Sequence, residues 1–172
     1  MVLLHEHHRN ISSRAAVTSA GRAIMPVGQQ QLRFAVAAFS SKAAAMQAAH
    51  ELQTAGIIAG DISYLGLQTV WGFVPARLHA LPFPGNTRPF ACTEGVVAER
   101  VAQRLENGAQ TLQAALATWL IPRHALQLER AVENGELLVW VQLCSTEDEG
   151  NAYRIMLSAG CTLVGVHDLV RS

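Results

Sequence analysis

Three histidines near the start of the chain, His5, His7 and His8, come closest in type and spacing to metal chemistry. Neutral imidazoles close together suit zinc, copper or nickel. Their spacing is not that of a helical HExxH pair, and the pattern fixes no further ligand. They are expected to lie in a tail with incidental metal affinity. Cys144 with His50 or His167 supplies the residue types of a nucleophile and its base, but only adjacency in space would make them one. A cysteine near a strand end is more simply a small buried hydrophobe. The run Glu147, Asp148 and Glu149 has the carboxylates for a hard cation. It also stands where a helix begins, where carboxylates are favoured by the unpaired amides of the first turn, and this second reading is preferred. Gly-rich phosphate loops, a Walker pattern and a GxSxG elbow are absent. No catalytic, cofactor-binding or metal-ligating residue is therefore assigned, no cofactor is expected, and an enzyme is the less favoured class.

Composition narrows the partners. The 172 residues carry 13 Lys and Arg against 13 Asp and Glu, a balance without the concentrated positive charge that phosphate-backbone binding needs, so nucleic acid is not an expected ligand. Half the residues are hydrophobic and only 15% charged, enough to drive folding of one well-buried domain. Cys92, Cys144 and Cys161 are odd in number, widely spaced and without a CxxC pair, which fits a reducing, cytoplasmic setting. Polar or charged residues interrupt every apolar run before membrane-spanning length.

The elements that would position these residues follow from periodicity. Residues 1–30 show no sustained hydrophobic period and are expected to form a loosely ordered tail, with Met25 an alternative start; residues 31–172 form a single α+β domain. Phe34, Val36 and Ala38 alternate with Ala35, Ala37 and Phe39 in a strand that is apolar on both faces and hence central. Ser40 or Ser41 then caps a helix carrying Ala45, Ala48, Ala49, Leu52 and Ala55, which ends at Gly56. The strand Ile62 to Leu67 follows. The same order recurs near the C-terminus: the strand Leu137 to Leu143, a cap at Ser145 or Thr146, a helix burying Ala152, Met156 and Ala159, an end at Gly160, and a last strand within Thr162 to Val170. Two such units predict a ferredoxin-like split βαβ antiparallel sheet with both helices on one face.

An insert, residues 68–135, separates the halves. Trp71, Phe73, Phe83 and Phe90, punctuated by Pro75, Pro82, Pro84 and Pro89, predict an aromatic loop without regular structure that must dock on something. Val97, Val101, Leu105, Leu112, Ala115, Leu116 and Trp119 then make one apolar stripe, on two helices or one kinked helix, before a helix opened by Pro122 and closed by Asn134-Gly135.

Two stretches of the chain resemble the heat-induced or general stress proteins of the YflT-like type found in bacteria. The first is FAVAAFSSKAAAMQAAHELQTAGIIAGDIS; the second is WLIPRHALQLERAVENGELLVWVQL with NAYRIMLSAGCTLVGVHDL. The resemblance implies a shared scaffold and an association with stress, and it carries no catalytic motif. In the middle of the chain, the aromatic loop and charged helix stand where the family has a Gly- and Ala-rich segment.

The functional expectation is a non-enzymatic, stress-associated protein acting through protein contacts or self-association. The alternatives are a small-molecule-sensing ferredoxin-like module or a dimeric α+β barrel enzyme. A homodimer is expected, with Trp71, Phe73, Phe83, Phe90, Leu112, Leu116 and Trp119 as interface candidates, because the second face of the sheet needs a cover.

Overall fold

In the computed structural model, which describes residues 32–71, 77–83, 86–92, 95–117 and 119–169, the apolar run Leu32–Phe39 forms strand β1. Its six residues Phe34 to Phe39 are all buried, as a strand with apolar side chains on both faces requires. Helix α1, Lys42–Thr54, begins at Ser41, whose hydroxyl accepts from the Ala44 N–H at 3.4 Å. It buries Ala45, Ala48, Ala49 and Leu52, whereas Ala55, expected on the same stripe, is exposed just beyond its last turn. A 3₁₀ turn at Ala59–Asp61 leads into β2, Ile62–Leu67. The second unit repeats this order with β5, Leu137–Leu143, helix α6, Thr146–Ser158, and β6, Leu163–Leu169.

Between the units lie α2, Gln68–Trp71, the strands β3, Arg77–Phe83, and β4, Asn86–Cys92, and then α3, Val96–Glu106, α4, Leu112–Leu116, and α5, Pro122–Glu133. The stripe is thus carried by two helices, with Asn107-Gly108 closing the first. The expected irregular loop is instead, over most of its length, an antiparallel hairpin. Proline is tolerated because of where it falls. Pro82 lies in the outermost strand, and Pro89 precedes Phe90–Cys92, the only part of β4 that pairs with β2.

The hairpin also corrects the size of the sheet. Six antiparallel strands run in the order β3-β4-β2-β5-β1-β6, where a four-stranded arrangement was expected. Alternation along β1 and β5 sends side chains to two separate cores. Ala35, Ala37, Phe39, Val139 and Val141 pack with Ala48 and Leu52 of α1 and Ala152 and Met156 of α6. Phe34, Val36, Ala38, Leu138 and Trp140 pack with Val97 and Val101 of α3, Leu112 and Leu116 of α4, and Leu128 and Val132 of α5. The insert therefore covers the second face from within the same chain.

One long-range contact fixes the insert on the sheet. Helix α3 starts at Gly95, which offers no side-chain cap, and the hydroxyl of Ser63 in β2 accepts from the Ala98 N–H at 3.5 Å instead. Gly95 has φ +138°, and a Cβ there would overlap the Ser63 hydroxyl and lie 3.0 Å from the Ile62 carbonyl oxygen. Only glycine lets the helix end approach so closely. A second such cap joins α5 to α4, where the Glu129 carboxylate accepts from the Gln113 N–H at 2.8 Å.

Candidate functional site at the β6 margin

The sheet ends on one side in β6, which pairs with β1 in unbroken register from Leu32↔Leu169 to Ala38↔Leu163. The outer edge of β6 has no strand beside it among the described residues. An edge of this kind presents backbone donors and acceptors to any extended chain, and sheets commonly guard it with lysine, proline or a bulge. Strand β6 has none of these, whereas β3 at the opposite edge contains Arg77 and Pro82. The side chains of Leu163, Val164 and Val166 remain only partly buried although helices lie on both faces.

Above one face, Glu149, Tyr153 and Leu157 recur at four-residue spacing and so share one flank of α6. The Glu149 carboxylate meets the Arg33 guanidinium of β1 at 2.9 Å, and Arg33 also lies 3.5 Å from Asp168 of β6. Tyr153 and Leu157 are 44% and 49% exposed, two of the four large hydrophobic residues left in solvent among the described residues. The charges beside them are already compensated within the chain.

On the other face, a small open cleft of about 80 Å³ separates α5 from β6, lined by Val36, His124, Gln127, Leu128 and the Leu163–Gly165 and His167 segment. The rings of His124 and His167 meet edge to face with centroids 5.2 Å apart. His167 lies back over Gly165, where a Cβ would come within 3.1 Å of its Nε2. Burial, and next the neighbouring His124, push the His167 imidazole below the ordinary histidine range, while Asp168 opposes them. The cleft thus offers a neutral imidazole, an amide and an apolar floor, which is binding chemistry.

The residues singled out by type are distributed otherwise. His5, His7 and His8 lie outside the described residues, as does Phe73. Cys144 is exposed at the turn into α6, His50 is exposed on α1, and His167 meets His124 edge to face. The acidic run begins α6 as expected: the Ser145 hydroxyl accepts from the Asp148 N–H at 3.0 Å, and the Asp148 carboxylate accepts from the Cys144 N–H at 3.0 Å. Among the described residues, no group of three or more His, Cys, Asp or Glu side chains is placed to hold a metal ion.

The interface candidates also separate. Phe90, Leu112 and Leu116 are 0% exposed, covered by the chain's own interior, whereas Trp119 packs only partly buried against the same core. Trp71 ends α2 and Phe83 ends β3. The β6 margin escaped sequence reasoning because an edge is a property of strand order, which residue types do not encode. The available signal was weak: a strand, LVGVHDL, without lysine or proline.

Comparison with known proteins adds no relative. No model of a protein family, no curated protein and no solved structure matches the chain. No helix among the described residues is long and apolar enough to cross a membrane.

Proposed function

We propose that the protein is a non-enzymatic, stress-associated, cytoplasmic protein that works through protein contacts and self-association on a ferredoxin-like core. The observations that carry this reading are the β6 edge, which has no partner strand among the described residues, and the exposed Tyr153 and Leu157 of α6. Such a combination supplies both the hydrogen-bonding edge and the apolar contact that strand-mediated association uses. The order β2-β5-β1-β6, with α1 and α6 sharing one face, supports the ferredoxin-like description of the central strands. The resemblance of the two quoted stretches to YflT-like proteins supports the link with stress.

The test is complementation of a deletion strain under heat or osmotic stress. Wild-type protein should restore growth, and Leu157→Glu with Tyr153→Glu, at equal abundance, should not. Full rescue by that variant sinks the reading.

The His124–His167 cleft favours a second reading, a small-molecule-sensing module. That reading requires a metabolite that raises the unfolding temperature of the wild type and leaves that of His167→Ala unchanged.

A further inference from the structure

The cleft between α5 and β6 is lined by nitrogen-bearing side chains and, among the described residues, by no carboxylate. His124 and Gln127 stand three residues apart on one face of α5, and His167 meets them from β6. The exposed Arg123 adds a guanidinium 3.4 Å from the His124 Nε2. Asp168 alternates with His167 along the strand and so belongs to the opposite face, where Arg33 of β1 lies 3.5 Å from it. Glu129 of α5 is engaged elsewhere, accepting from the Gln113 N–H at 2.8 Å. Beneath the polar groups lies an apolar floor of Val36, Leu128 and Leu163. The cleft's volume of about 80 Å³ falls well below the ~300 Å³ of a drug-sized pocket, so its guest is small. Resting on the small-molecule reading of this cleft, we propose that its ligand is a short-chain aliphatic carboxylate, whose head is held by His124, Gln127 and His167 and whose tail lies on the apolar floor.

Each part of the site disfavours another class of guest. A metal cation meets two imidazoles with a guanidinium beside one of them, and no carboxylate among the lining residues to offset its charge. An inorganic anion leaves the floor uncovered, and a neutral amide or alcohol brings no charge to the nitrogen donors. A carboxylate with a short tail satisfies both, since imidazolium and amide N–H groups donate to it in charge-assisted hydrogen bonds.

Binding of this kind is linked to protons. In the free protein, burial and then the neighbouring His124 hold the His167 imidazole toward its neutral form, with Asp168 opposing. A bound carboxylate favours the charged imidazole instead. The complex therefore retains protons that the free site releases, and affinity rises as pH falls from neutral toward 6. The charged groups facing this change are Arg123 and His124 on α5, Asp168 on β6 and Arg33 on β1.

The purified full-length chain titrated with sodium butyrate provides the test, read by the carbon-bound imidazole protons in NMR and assigned with His124→Gln and His167→Gln. Butyrate should shift both histidine signals saturably and raise the pH at which they titrate. Its affinity should increase about fivefold or more from pH 7.5 to 6. Each variant should keep the wild-type circular dichroism spectrum and bind butyrate about tenfold more weakly, having lost one charge-assisted hydrogen bond. If either substitution unfolds the chain, the wild-type imidazole shifts decide alone. Butyramide and sodium sulfate, run alongside, should both bind more weakly than butyrate. Butyramide binding as tightly as butyrate overturns the carboxylate assignment and leaves the small-molecule reading standing. Sulfate binding as tightly removes the role of the floor and overturns it too. The absence of a saturable shift, or undiminished affinity in two folded variants, overturns the inference as well, while the small-molecule reading is decided separately by the metabolite-induced rise in unfolding temperature.

Discussion

At the scale of single residues, chemistry-bearing types and structural roles proved hard to tell apart by spacing alone. Asp148 looks like a ligand in the sequence and is a helix cap in the fold; Ser63, unremarked in the sequence, caps a helix that begins 33 residues later in the chain. The first was legible because a cap acts locally, over three or four residues. The second was not, because its partner is brought near only by the sheet. His167 belongs to the same class, since its neighbour His124 comes from a different element. Its lowered pKa carries a consequence for stability. The folded state binds its proton less readily than the unfolded chain does, so between the ordinary histidine value, about 6.5, and the lower folded value the unfolded state holds more protons. The contribution of His167 to stability is therefore whole at neutral pH and declines as pH falls through that window. Urea midpoints measured from pH 7.5 down to 5 should drop more steeply for the wild type than for His167→Gln. Equal slopes would show that the imidazole titrates alike in both states.

At the scale of elements, periodicity carried most of the fold. The strands β1, β2, β5 and β6 and the helices α1 and α6 fall where alternation, caps and glycine ends place them, and Gly56 and Gly160 close their helices with φ +98° and +79°. The hairpin β3-β4 was missed for a physical reason: proline density argues against a strand only when both of its edges must be paired, and edge status cannot be read from the strand itself. The correspondence between α1 and α6 makes a quantitative expectation. Leu52 and Met156 are both 0% exposed in the same core, against the same face of the sheet. Leu52→Ala and Met156→Ala should each cost about 2–5 kcal/mol, since both remove most of a buried side chain from a packed interior. Chemical denaturation measures it directly. A loss below about 1 kcal/mol at either position would mean that the site collapses around the smaller residue, contrary to the close packing found there.

At the scale of the whole molecule, the insert decides whether the sheet is stable at all. A central strand that is apolar on both faces commits the fold to a helical layer on each side, because exposing either face would leave a row of large apolar side chains in water. The sequence made that need visible and left open whether the insert or a second subunit meets it; the structure answers with α3, α4 and α5. They bury Phe34, Val36, Leu138 and Trp140 within one chain. The two halves of the chain are accordingly not a self-sufficient domain. Replacing residues 68–135 by a short glycine-rich turn keeps every strand and helix of the repeated units but uncovers that whole face, including Trp140, which is only 2% exposed in the intact chain. The shortened protein should aggregate or populate an expanded state that binds a hydrophobic dye and lacks near-ultraviolet dichroism, with no cooperative thermal transition. Residues 1–30 provide the control, because they carry no hydrophobic period from which to build a core: deleting them should leave the transition of the full domain in place. If the version without the insert instead unfolds cooperatively as a monomer near the wild-type midpoint, the second core contributes little, and the Ser63–Ala98 contact holding α3 to the sheet is not a structural requirement.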